Sequence, residues 1–286
     1  LWGSAFPCIK IGYPMMEIAA EDTASQILYA GYRFTLAGVL TIVLGSILQR
    51  KILLPKRSAI GKIGLLSLLQ TVLQYLFFYI GLAHTTGVKA SIIEAVSTFV
   101  AILVAGYLFH QETVTSRKML GCLIGFAGVV LVNVAGSGMD FHFSPAGDGC
   151  ILLSTVAYAF SSVCMKRFSQ KEDPVMLSGY QFILGGIVMI ACGAAMGGHL
   201  KAFTASAAAL LIYMAMISAV AYSLWGMLLK YNPVSKVTVF GFMNPVIGVI
   251  LSALLLNETE SLGVSSVLAL GLVCVGIYIV NAKDKD

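Results

Sequence analysis

Of 286 residues, 58% are hydrophobic and only 11% charged, whereas a soluble domain carries roughly a quarter charged residues, so water is excluded as the main solvent. The net charge of +5 is dispersed between apolar stretches and forms no continuous basic face, which argues against a nucleic-acid partner. The six cysteines, Cys8, Cys122, Cys150, Cys164, Cys192 and Cys274, stand singly without CxxC or ligand-like spacing; they read as reduced small hydrophobes, and neither a metal nor a cofactor is expected.

Apolar runs of about twenty residues match the length needed to cross a ~30 Å hydrocarbon layer. They predict helices near 1–16, 27–48, 63–83, 90–109 and 119–135, then 149–165, 175–196, 206–229, 237–256 and 262–280. The chain opens at Leu1 without Met and meets Lys10 inside the first run, so no charged leader is visible and native residues are expected to be missing before it. The stretch 136–147, rich in Gly and Ser with one Pro, reads as a linker between a first five-helix repeat at 1–135 and a second at 148–286.

The two halves resemble each other. Gly31-Tyr32-Arg33-Phe34 with Gly38 is answered by Gly179-Tyr180-Gln181-Phe182 with Gly186. Glu112-Thr113 is echoed by Glu258-Thr259, with Gly125 and Gly271 at equal distances beyond, and Val132-Asn133 by Val280-Asn281. An internal duplication is the simplest account.

Most Lys and Arg residues fall in one set of alternate loops, in the segments 50–62, 117–118, 166–171, 230–236 and 283–285. The positive-inside rule then puts both termini in the cytoplasm. Five spans per repeat is an odd number, so the halves insert in opposite senses. Inverted repeats give a protein two similar arrangements, open to either side around a central site, which is the requirement of alternating access.

The opening Trp2-Gly3-Ser4-Ala5-Phe6 with Lys10-Ile11-Gly12, the Arg33-Phe34 span, Gly87-Val88-Lys89-Ala90 and Glu112-Thr113 resemble the EamA family of the drug/metabolite transporter superfamily, over the whole chain. The resemblance implies an all-α integral membrane protein of ten transmembrane helices in two inverted repeats. It implies a secondary transporter of a bacterial cytoplasmic membrane that exports amino acids or related small polar metabolites. It also implies a cavity lined by spans 1, 3, 4, 6, 8 and 9, with spans 5 and 10 peripheral. No G-x-x-x-x-G-K-[ST] phosphate loop is present, in keeping with a carrier that hydrolyses no ATP. The alternatives are a drug or lipid-linked sugar efflux carrier of the same superfamily, and a scaffold or receptor without flux. An intramembrane enzyme is disfavoured, because no nucleophile and base have suitable spacing.

Charges inside a membrane are costly and read as functional by default. Lys10, Arg33 and Glu94 lie at comparable depth from one side and are expected to meet, leaving a net positive centre suited to a substrate carboxylate. The competing reading is an ion network that only locks helices. Glu94 is also a candidate proton acceptor for coupling, and its second-half counterpart is Phe240. Gln70, Gln74 and Tyr75 fall on neighbouring helical positions, with Ser218, Tyr222 and Trp225 among their counterparts; with Tyr158 and Asn244 they can orient a substrate or bond helix to helix. Asn244-Pro245 predicts a bend. Gly121, Gly125, Gly128, Gly271 and Gly276 predict close helix packing, within one chain or across a dimer. His84, His110, His142 and His199 fall in or beside loops, and Glu112 and Glu258 read as loop anchors.

Overall fold

The computed structural model describes the chain apart from residues 20, 86, 135–142, 201–203, 257–263 and 283–286; within helices, the side chains at 6, 10, 87, 88, 132, 133, 249, 252, 253, 255, 256, 265 and 266 are also outside the description. The described residues form ten helical rods and no strand. These are α1 (Trp2–Met15), α2 (Thr23–Leu48), α3 (Arg57–Leu82), α4 (Lys89–Leu108), α5 (Ser116–Val134), α6 (Pro145–Ser169), α7 (Pro174–Ala195), α8 (Ala205–Tyr231), α9 (234–256) and α10 (Val264–Asn281). Six of them, α2, α3, α4, α6, α7 and α8, are long and apolar enough to cross a bilayer. The outward faces of the bundle carry exposed Leu123, Ile187, Leu224 and Tyr278, as a lipid solvent allows.

Helix starts follow capping chemistry. Asp22 accepts from the Ser25 amide at 3.0 Å, and Asp173 accepts from the Val175 and Met176 amides ahead of Pro174. Ser144 caps α6 through the Gly147 amide at 3.1 Å. Pro145 to Gly147, expected in the linker, therefore form the first turn of α6, a π-helical turn spanning Pro145–Gly149.

Glycines set the two closest helix seams. A Cβ on Gly38 would lie 2.6 Å from the Gly179 carbonyl and 2.7 Å from the Ile183 amide, and one on Gly31 would lie 2.6 Å from the Ile190 amide. Gly45 faces Val175, and Gly193 faces the Leu28 backbone. Ascending numbers on α2 meet descending numbers on α7, so these equivalent helices of the two repeats run antiparallel, as inverted halves must. The second seam joins α5 to α10: Gly121 meets the Gly276 carbonyl, and Gly128 the Ala269 carbonyl. A Cβ on Gly276 would lie 2.6 Å from the Gly125 amide nitrogen, while one on Gly125 would meet the Phe242 ring, and Gly271 has no atom within 4 Å of an added Cβ. The seam thus closes within one chain, and Gly271 takes no part in it.

The basic loops gather at one end of the bundle. Lys62 pairs with Glu172 at 2.6 Å, Lys166 donates to the Leu229 and Asn232 carbonyls, and Arg117 donates to the Ala282 carbonyl. At this end Glu112 anchors α9, accepting from the Ser235 amide at 2.9 Å and from Lys118 Nζ at 2.9 Å. The other end ties Lys89 to Asp148 at 3.7 Å and the His199 amide to Ser25 Oγ at 2.9 Å. Glu258, the sequence counterpart of Glu112, lies outside the described residues.

Candidate functional site

Three helices of the bundle are irregular where polar residues cluster. In α3, Ser67–Leu73 is π-helical, a wide turn that rotates residues out of the regular register. In α4 the helix breaks at Val96, between Gly87–Ala95 and Ser97–Leu103, directly after Glu94. In α9, a 3-10 turn at Val239–Phe242 precedes Asn244 and Pro245, because Pro245 has no N–H to offer the Gly241 carbonyl.

Between these irregularities lies a cavity of about 170 Å³. Its lining comes from α1 (Trp2, Ala5, Ile9), α2 (Arg33), α3 (Gln74, Tyr75, Phe78, Tyr79), α4 (Ser91, Glu94, Ala95, Ser97, Thr98), α6 (Ser154, Thr155, Tyr158), α8 (Met214, Ile217, Ser218, Tyr222) and α9 (Thr238, Gly241, Asn244, Pro245). Among the described residues α5, α7 and α10 contribute nothing to it. Arg33 of α2 is the addition to the six spans expected from sequence.

One edge of the cavity sits on the repeat axis, marked by residue pairs 147 or 148 positions apart. Phe34 and Phe182 stack with centroids 5.2 Å apart and planes 6° from parallel. Their partners Tyr75 and Tyr222 share a hydroxyl hydrogen bond of 2.9 Å. Phe34 packs on Tyr75 at 4.4 Å, and Phe182 packs edge-on against Tyr222 at 4.8 Å. Each aromatic thus meets its own repeat image.

The symmetry breaks at Arg33. Its image, Gln181, accepts a 2.6 Å hydrogen bond from Thr71 Oγ1. Arg33 has no such partner: its buried Nε is unbonded among the described residues, and its guanidinium lies 4.3 Å from the Phe34 ring centroid and 5.8 Å from that of Tyr75. Stacking on rings is a favourable setting for a desolvated guanidinium.

The expected pairing of Arg33 with Glu94 does not form. Among the described residues no ion pair joins them, although both line the cavity. Both helices start a few residues earlier than expected, α2 at Thr23 and the first segment of α4 at Gly87, so the two residues keep comparable depth; the guanidinium instead turns to the Phe34 and Tyr75 rings. The Lys10 side chain lies outside the described residues, so its expected place in the cluster is not described.

Of the other sequence candidates, Gln74, Tyr75, Tyr158, Tyr222 and Asn244 line the cavity. Gln70 and Trp225 do not; both are buried. The π-helical turn separates Gln70 from Gln74, and Trp225 packs on Trp2 and Tyr158 at 5.0 and 6.4 Å. Sequence reasoning missed Trp2 and the hydroxyl series Ser91, Ser97, Thr98, Ser154 and Thr155. The available signal was hydroxyl residues inside apolar spans.

A helical membrane bundle of two antiparallel repeats around a polar and aromatic cavity is an architecture that membrane transporters use. The chain matches the EamA-like transporter family over residues 1–134 and 145–282, and it belongs to that family. It is 26% identical over 293 residues to Uncharacterized transporter YvbV of Bacillus subtilis (strain 168), covering 100% of this chain and 89% of that protein. Uncharacterized inner membrane transporter YedA of Escherichia coli (strain K12) is 28% identical, over 99% of this chain and 90% of its own length. An Uncharacterized transporter of Archaeoglobus fulgidus is also 28% identical, over 99% and 95%. A crystal structure superposes with a TM-score of 0.79 at 16% identity, covering 98% of this chain and 93% of that one; this likeness concerns the fold.

Proposed function

We propose that the protein carries small zwitterionic metabolites, amino acids first among them, across a bacterial cytoplasmic membrane by alternating access, in the direction of export. The observation that supports this reading is the presence of two opposite charges, Arg33 and Glu94, lining one cavity with no ion pair between them among the described residues. Desolvated charges left apart are expensive, and a solute bearing both a carboxylate and an ammonium would satisfy each. The hydroxyls of Tyr75 and Tyr222 and the amide of Asn244 would then orient it. Protons are the proposed coupling ion, with Glu94 as acceptor. All ten rods are proposed to span the membrane, with both termini cytoplasmic, on the strength of the basic residues gathered at one end.

The cavity volume speaks against drug or lipid-linked sugar efflux: about 170 Å³ is well below the ~300–1,000 Å³ typical of pockets for drug-sized ligands. The test is counterflow. Proteoliposomes loaded with unlabelled amino acids should accumulate a labelled one from outside transiently, and Arg33→Gln should abolish the overshoot. Absence of counterflow with every zwitterion tried, or full counterflow in Arg33→Gln, would reject the reading.

A further inference from the structure

Three helices carry a buried polar atom without a partner on another helix, one turn beyond a cavity residue and all in the same direction. Helix α3 rises from the basic end that holds Lys62, while α6 and α8 descend to it at Lys166 and Lys230. Stepping about 4.5–6 Å toward that end, Gln74 leads to Gln70, Tyr158 to Ser162, and Tyr222 to Trp225. Gln70 Oε1 and Trp225 Nε1 are buried and unbonded among the described residues, and Ser162 Oγ, also buried, has at best a loose contact with Tyr158 of its own helix. These residues are 1%, 0% and 7% exposed. The next residue along α3, Thr71, holds Gln181 of α7, whose amide nitrogen is unbonded as well.

A buried polar atom left unpaired costs about 1–3 kcal/mol, and native interiors keep few of them. Helix-to-helix bonding does not account for these three, since none of them is bonded to another helix among the described residues. They stand at one level, on three helices that already serve the cavity, and one of them lies in the π-helical turn of α3, a feature common at functional sites. Trp2 spans both levels: it lines the cavity, and its ring centroid is 4.9 Å from Tyr222 and 5.0 Å from Trp225.

We propose that Gln70, Ser162 and Trp225 form a second polar station, closed in this conformation, which takes the hydrogen-bonding groups of the solute between the cavity and the basic end once Trp2 swings aside. It rests on the reading of the cavity as the transport site. The unpaired atoms are the acceptors and donor that solute or escorting water satisfies in the open state.

The test uses the full-length protein with Ser162→Cys, modified by a small, charged methanethiosulfonate and read by peptide mass spectrometry, which separates this thiol from the six native cysteines. Ala159→Cys, fully buried in the adjoining core, is the control. Trp2→Ala should speed modification at position 162 about tenfold, the weight of a contact of roughly 1.4 kcal/mol, and leave position 159 inert. Equal inertness at both positions in both backgrounds, or equal acceleration at both, would overturn the station. A second pair of variants guards against misfolding. Gln70→Met and Ser162→Ala delete the unpaired atoms with little change of volume, so each should keep or raise the melting temperature while counterflow falls about tenfold. Full counterflow in both would also overturn it. If the native protein shows no counterflow with any zwitterion, the transport reading fails, whereas the labelling comparison still decides whether the level opens.

Discussion

Gly38→Ala is the sharpest probe of the antiparallel repeat seam. The added methyl would stand 2.6 Å from the Gly179 carbonyl oxygen and 2.7 Å from both the Ile183 amide and its Cγ1. Two of these three neighbours are backbone of the facing helix, so no side-chain rotation relieves the clash and α2 must move from α7. Overpacking of this kind costs typically ~1–3 kcal/mol. Against it stands the gain of about 0.5–1 kcal/mol for Ala over Gly inside a helix. Gly64→Ala isolates that gain, because nothing lies within 4 Å of an added Cβ there. Reversible unfolding in mixed micelles should show Gly64→Ala stabilised and Gly38→Ala destabilised, a difference in sign. Stabilisation of both by the same amount would refute the antiparallel contact between the repeats.

Other perturbations follow from named contacts. Glu112→Ala leaves the Lys118 ammonium without a counter-charge, with only the Thr113 carbonyl, and strands the Ser235 amide; a loss of about 3–5 kcal/mol is expected, with part of it recovered in Glu112→Ala/Lys118→Met, and no recovery would show the two to be independent. Arg33→Gln and Glu94→Gln should add in their effects on stability within about 0.3–0.5 kcal/mol, as unlinked sites do; a larger coupling in a double-mutant cycle would mean that they pair after all. Ser58→Cys should react with an impermeant thiol reagent from the cytoplasmic face and Ser137→Cys from the other, and the reverse pattern would invert the proposed topology.

The architecture was legible in the sequence because lipid imposes it: each backbone must satisfy itself within a helix, so apolar length alone separates the rods. The duplication was legible for a similar reason. The glycines at 31 and 38 and at 179 and 186 sit where equivalent helices touch, and close approach admits little else. What the sequence concealed was local register. The π-helical turn at Ser67–Leu73 moves Gln70 off the face of Gln74, although ordinary helical spacing puts them together. Cation stacking on Phe34 was equally hidden, since adjacent residues on a helix do not normally face each other. Trp2 escaped notice because it stands at the beginning of an ill-defined first span, and its place against Tyr222 and Trp225 is a long-range contact that no periodicity encodes.

The central claim is that Arg33 and Glu94 hold opposite ends of one zwitterion, and analogue competition tests it most directly. Binding of a labelled amino acid to purified protein is competed with the matching deaminated acid and with the matching amine. The native protein should prefer the zwitterion to both. Glu94→Gln should lose its preference over the deaminated acid, and Arg33→Gln its preference over the amine, each by a factor of about ten to a hundred, the worth of a hydrogen bond to a charged group at ~1.5–3 kcal/mol. If both variants keep the native order of preference, or lose affinity for all three ligands alike, the two charges do not divide the substrate between them and the account is contradicted.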